Sequence, residues 1–277
     1  MSGDATAGPA LAELREGEAP PEIAALYAAL RRASGVPLVN LIHRHLATMP
    51  EVLPWVWAAI RPPLEDGRLA GARERLAASL PLPAIAPLPP GALAAAGIDA
   101  AGRAALIALV ETYNRGNLTN LILLTALRRA LEGAPARPAP PPPVLAAPAM
   151  LPAPPLLPRL ETLPPALAAA VRGLAARHGG SGVVPSLYLH LAHWPGIPPA
   201  LPGWLGPALD PAAIAAGQEA ALDLAAGEAD ALRPSLAIAG EVPGGQREAV
   251  LHALRTFTGS LIPAMVPVGL SLRRLLA

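Results

Sequence analysis

The sequence predicts an all-α fold: two homologous helical repeats forming a pseudo-dimer, joined by a proline-rich strap. Three observations carry that expectation. Apolar residues recur at helical spacing along most segments, β-branched alternation is almost absent, and several segments recur at a nearly constant offset. Residues 31–50 read RRASGVPLVNLIHRHLATMP and residues 177–195 read RHGGSGVVPSLYLHLAHWP. Both carry Ser-Gly-Val, an apolar run with histidine, and Leu-Ala before a proline. Placing Pro50 on Pro195 sets an offset of 145, which also aligns His45 with His190, Leu46 with Leu191 and Ala47 with Ala192. Leu127-Arg128-Arg129 falls on Leu272-Arg273-Arg274 at the same offset. Pro20-Pro21 falls on Pro164-Pro165, and Leu30 on Leu174, at 144.

These pairings divide the chain into a flexible N-terminal tail (1–19), helical repeat 1 (20–133), a proline-rich linker (134–163) and helical repeat 2 (164–277). In repeat 1 the first helix is expected over 21–33. Ile23, Leu26, Tyr27 and Leu30 share one face, and Pro20-Pro21 stand at its start. Further helices are expected over 40–48, 53–60, 69–80 and 90–96. Asp99 is a candidate N-cap for a helix reaching about Asn114. A turn at Tyr113-Asn114-Arg115-Gly116-Asn117 then precedes an apolar helix over 118–131, with Gly133 as its C′ glycine. The linker favours polyproline II, extending up to ~3.1 Å per residue. It is either a disordered tether or a strap packed on the surface through Val144, Leu145, Leu151, Leu156 and Leu157.

Composition excludes several classes. The chain is 53% hydrophobic and only 15% charged, the reverse of a disordered chain. It has no cysteine, so there is no disulfide framework, thiolate nucleophile or cysteine-ligated zinc. A net charge of +1 without basic runs argues against a nucleic-acid partner. Three long stretches lack formal charge (76–98, 138–158 and 178–209), but each is interrupted by five or more prolines, which break membrane-spanning helices. The N-terminus has acids and no apolar core, unlike a signal peptide. The expectation is a cytoplasmic protein without a membrane partner. Homo-oligomerisation is left open.

From Pro83 onward the sequence reads PAIAPLPPGALAAAGIDAAGRAALIALVETYNRGNLTNLILLTALRRAL. This pattern resembles the group I 2-haloacid dehalogenases. The family has a Pro-Leu-Pro turn, a short helix ending Ala-Ala-Gly, a long helix and a Tyr/Phe-Asn-x-Gly-Asn turn before an apolar helix. Leu46-Ala47-Thr48-Met49-Pro50 and Ala192-His193-Trp194-Pro195 look like its landmarks in the same order. The resemblance runs from about Glu22 to the C-terminus. It implies an all-α fold of two related repeats joined by a long connection, with no cofactor and no metal. It also implies a hydrolase acting on carbon–halide bonds. An aspartate activates a water, which attacks the α-carbon of a short 2-halocarboxylic acid with inversion.

The residues depart from that pattern at one critical place. The family has Ser-Asp seven residues before its Trp-Pro pair. Here the serine matches Ser186 and the aspartate position is Leu187. Leucine cannot accept a proton, and no Asp or Glu occurs between Glu161 and Asp210. The family's pocket asparagine corresponds to Asn117, either a donor to water or carboxylate or a turn-former before a helix. Its pocket Trp and Phe correspond to Leu38 and Leu41, and its late Tyr to Phe257, with Leu261 four residues on. Ser186, Asn117, Leu38, Leu41, Phe257 and Leu261 are thus the expected substrate-binding residues.

His190 shares a helix face with Leu187 and is the candidate substitute base. Together His43, His45, His190 and His193 raise the alternative of a zinc site. The bland reading makes all four surface or hydrogen-bonded interior histidines. Arg115 is either a carboxylate ligand or a solvated loop arginine, and Glu111 is expected to face solvent. Arg128-Arg129 and Arg273-Arg274 suit helix C-termini. Two functions follow: a diverged dehalogenase of altered or lost activity, or a non-catalytic helical protein of the same fold that binds a small acid or a partner. A structural protein whose strap is the working element is the third.

Overall fold

The computed structural model describes residues 12–179 and 184–277. Ser181-Gly182-Val183, half of one repeat pairing, therefore lies outside the described residues. Twelve α-helices and no β-strand occur among the described residues: α1 Pro21–Ser34, α2 Leu41–Leu46, α3 Val52–Glu65, α4 Arg68–Ser79, α5 Ala92–Ala95, α6 Ala100–Leu131, α7 Pro165–Ala176, α8 Ser186–Leu191, α9 Ile197–Leu205, α10 Pro211–Leu232, α11 Arg247–Thr256 and α12 Ile262–Leu276. One π-helical turn, Phe257–Leu261, links α11 to α12.

Local chemistry sets several helix ends. Pro21 opens α1 and Gly35 closes it at φ 65°. The Asp99 carboxylate caps α6 by accepting from the Gly102 amide at 2.7 Å. At the other end Gly133 has φ 65°, and the Gly133 and Ala134 amides return to the Ala130 and Arg129 carbonyls. This paired return satisfies carbonyls that the helix end would otherwise strand.

The expected turn at residues 113–117 is a correction. Helix α6 runs unbroken through it for 32 residues. The polar groups that suggested a turn are used in packing instead. Asn114 Nδ2 donates to the Gly269 carbonyl on α12 at 3.0 Å. A Cβ at Gly116 would lie 3.2 Å from Asn40 Oδ1, so the missing side chain lets Asn40 approach. Helix α3 also extends past its expected end, through Pro62-Pro63, with Pro63 and Leu64 buried.

Two apolar cores result, and long helices pass between them. The first half of α6 (Leu106, Leu109, Val110) joins α7–α9, while its second half (Leu118 to Leu127) joins α1, α3 and α4. Helix α12 divides likewise: Val266 and Leu270 face one core, Val268 and Leu272 the other. Neither core is built by residues 20–133 or 164–277 alone. The run Arg247–Leu276 is long and apolar enough to cross a membrane, yet 61% of its most apolar window is buried here. Its apolar content serves the cores. A buried ion pair ties α6 to α10: Arg129 Nε and Nη2 donate to both Asp230 oxygens at 2.8 and 2.9 Å.

The linker is held to the body, but of the five expected apolar anchors only Leu151 is half-buried. Val144, Leu145, Leu156 and Leu157 are exposed. Backbone polar groups hold it instead. The Leu145 amide donates to Gly67 O, the Leu151 amide to Gly35 O, and Arg115 Nη1 to Ala149 O. Glycines let the strap lie flat. A Cβ at Gly67 would come within 2.0 Å of Leu145 O, and one at Gly71 within 1.9 Å of Pro143 O. The expected flexible tail is also corrected over residues 12–19. The Leu14 amide donates to Arg44 O, Tyr27 Oη donates to Leu14 O, and the Val39 amide donates to Glu16 Oε1. Polar contacts to α1, α2 and the loop between them fix this segment, and Ala19 packs against the first core.

Gly71→Ala is expected to push the strap off α4. Overpacking of this kind costs about 1–3 kcal/mol, to be read as a lower urea midpoint, with faster exchange at the Leu145 amide. An unchanged midpoint and unchanged exchange would mean the strap contributes nothing at this contact.

Candidate functional site

The main cavity, about 410 Å³, lies between α2, the middle of α6, α8 and the π turn with the start of α12. The six expected substrate-binding residues, the base position and its candidate substitute line it: Leu38, Leu41, Asn117, Ser186, Phe257, Leu261, Leu187 and His190. Their positions follow from helical spacing. Tyr113 and Asn117 are one turn apart on α6, and Leu187 and His190 one turn apart on α8. The π turn widens the helix where Phe257, Ser260 and Leu261 meet the cavity. Gln218 Nε2 on α10 donates to the Gly259 carbonyl within it.

Asn117 sits in a helix interior, so the turn-former reading does not apply. Leu187 is buried at the position where the resemblance places an aspartate. The described cavity lining includes no Asp or Glu. The cationic group at the cavity is Arg44, whose Nε lies 2.8 Å from Glu13 Oε2.

His190 is not a free base. Its Nε2 lies 2.9 Å from the Pro155 carbonyl, which can only accept, so Nε2 carries the hydrogen. Nδ1 must then accept from Tyr113 Oη, at 2.5 Å. Both nitrogens are engaged. Burial lowers the His190 pKa, with the nearby His193 adding to the effect and the Pro155 contact opposing it. Burial likewise pushes the Tyr113 hydroxyl up, against the opposing influence of Arg44 and Ser186.

Four other histidines also bond the protein. His193 Nε2 donates to the Leu156 carbonyl and His45 Nδ1 to the Ala12 carbonyl. His178 Nε2 pairs with Tyr188 Oη at 2.7 Å, and His43 Nε2 with Asn120 Oδ1 at 2.8 Å. Among the described residues no three His, Asp or Glu side chains form a group that could hold a metal ion. Arg115 points away from the cavity, to the Gly35 and Ala149 carbonyls. Glu111 lies between Arg115 and Arg273, at 3.9 and 3.6 Å.

Sequence reasoning missed Arg44, Tyr113 as a lining residue, and Asn40. The signal was available for two of them. Arg44 is three residues after Leu41 on one face of α2, and Tyr113 four before Asn117 on α6. Asn40 precedes its helix and had no such pattern.

No family model matches the chain, and no curated protein sequence matches it. Solved structures do. A D-2-haloacid dehalogenase mutant superposes with a TM-score of 0.77 at 16% identity, covering 98% of this chain and 97% of that one. The chain has the D-2-haloacid dehalogenase fold. A complex of such a mutant with D-2-CPA superposes at 0.76 with 18% identity, and a complex of a D-2-haloacid dehalogenase with L-LA at 0.72 with 17%, each over 98% of this chain. On that fold this chain carries a leucine-lined cavity with an arginine at its edge and both His190 nitrogens engaged.

The buried histidines make stability depend on pH. Burial pushes His43 and His178 down to about 4, against an ordinary value near 6.5. Below about 6.5 the unfolded chain takes up protons that the folded chain refuses. Stability is therefore complete above about pH 6.5 and falls toward pH 4, by up to about 1.4 kcal/mol per pH unit for each ring. Urea titrations at pH 7.5 and 5.0 check this. The midpoint should drop at pH 5.0, and His43→Gln should reduce the drop. Equal midpoints would contradict neutral burial.

Proposed function

We propose that this chain binds short, apolar carboxylic acids in the main cavity and has lost direct-water dehalogenation. The observation that carries the reading is the absence of any carboxylate from the described cavity lining, with Leu187 at the expected base position. A water attacking an α-carbon needs an acceptor for its proton. His190, the candidate substitute, bonds through both nitrogens and cannot be that acceptor. What remains suits binding. Leu38, Leu41, Phe257 and Leu261 supply apolar surface, and Asn117, Ser186 and Tyr113 supply directed polar groups. Arg44, its Nε beside Glu13, supplies positive charge for an anionic ligand.

The same reading includes a duplication. Helices α2 and α8 begin 145 residues apart, as do α3 and α9, and α6 and α12 end 145 apart. Those bounds match the offset found in the sequence and support two repeats around one shared cavity.

Calorimetry with 2-chloropropionate and chloride release from the racemic acid test the proposal together. Wild type is expected to bind and to release no chloride. Arg44→Gln should weaken binding about tenfold or more, the scale of a lost charge-assisted contact. Leu187→Asp should produce measurable chloride release. Turnover by wild type would overturn the loss of activity. Failure of every variant to bind would overturn the ligand class.

A further inference from the structure

A second, much smaller cavity lies beside the main one. Its volume is about 20 Å³ and it shares Val36, Leu38, Val39 and Asn40 with the main cavity's lining. His43, Gly116, Thr119 and Asn120 also line it. His43 and Thr119 are only 5% and 4% exposed. His43 Nδ1 and Thr119 Oγ1 are buried polar atoms with no hydrogen-bond partner in the protein. Such atoms are rare in folded proteins and call for a partner.

The hydrogen bonds around His43 fix what Nδ1 can do. Asn120 Nδ2 donates to the Gly116 carbonyl at 2.9 Å, so its other atom, Oδ1, is the acceptor facing the imidazole. His43 Nε2 therefore carries the hydrogen. The neutral ring then presents a bare lone pair at Nδ1. Burial keeps the ring neutral, with a pKa of about 4, so that lone pair is present throughout the neutral range. Thr119 offers a hydroxyl that can donate or accept. A cavity needs ~10–15 Å³ to hold one water, so this one has room for a single water and none for an organic ligand.

We propose that this side pocket is a single-water site, in which the water donates to His43 Nδ1 and is held by Thr119 Oγ1 beside the ligand cavity. Unlike His190, whose two nitrogens both bond the protein, His43 has Nδ1 left for a water. Asn40 is the polar side chain that lines both cavities. The site goes beyond the ligand reading and does not depend on it. It stands or falls on two buried atoms and the space between them.

High-resolution crystal structures of wild type, Thr119→Val and Thr119→Ser test it. Wild type should show ordered density within ~2.7–3.2 Å of both His43 Nδ1 and Thr119 Oγ1. Thr119→Val, close to isosteric, should lose that density and lower the Tm by roughly 2–4 °C, a range that follows from chain size. Thr119→Ser should restore both. A dry pocket in wild type, or a valine variant as stable as wild type, overturns the proposal. Should Thr119→Val fail to fold, imidazole ¹⁵N spectra of wild type decide. An unprotonated, hydrogen-bonded Nδ1 supports the site, and a protonated or unbonded Nδ1 removes it.

Discussion

The contact between Asn114 and Gly269 sets where α6 and α12 cross, and the main cavity lies beside that crossing. A Cβ at Gly269 would stand 2.2 Å from Asn114 Oδ1, so the glycine allows the close approach and the Asn114 amide bonds its carbonyl. Both helices are long and continue from one apolar core into the other. Their crossing therefore fixes the two cores relative to each other. It also brings Tyr113 and Asn117 from α6 to the same space as Phe257 and Leu261. A buried amide in an apolar interior would be costly if left unpaired, which makes the crossing specific as well as close.

Few charges serve many structural contacts in this chain. Arg129 and Asp230 join α6 to α10, and Arg75, Arg115 and Arg129 bond carbonyls of the strap. Proline has no amide hydrogen, so a proline-rich strap offers mainly carbonyls. Arginine and histidine donors answer them. His190 and His193 hold the Pro155 and Leu156 carbonyls, which places Leu157 against the cavity. One consequence is chemical. A histidine that fastens the strap while accepting from Tyr113 has no lone pair left for a water.

Much of the fold was legible in the sequence because its signals are local. The caps at Asp99 and Gly133, the proline at the start of α1 and the apolar stripes each depend on neighbours within a turn or two. The eight cavity residues were legible through the register of a resemblance, and they do line one cavity. The turn at residues 113–117 was misread because Asn and Gly suit turns and tight packing alike. Only the partner helix distinguishes the two uses. The apolar strap residues were misread for a related reason: which face of an extended chain meets the body is set by the body's hydrogen-bond donors.

The sequence alone determined the helical class, the internal offset of 145 and the absence of an acid between Glu161 and Asp210. These hold whatever the packing, since they are properties of residue order and identity. Tertiary structure decided what each imidazole nitrogen meets. His43, His45, His190 and His193 are chemically alike in sequence, but their nitrogens meet different acceptors: Asn120, Ala12, Pro155 and Leu156. All but His45–Ala12, 33 residues apart, join groups at least 35 residues apart in the chain. Tautomer and basicity follow from those distant carbonyls and amides, and only the folded chain brings them within reach.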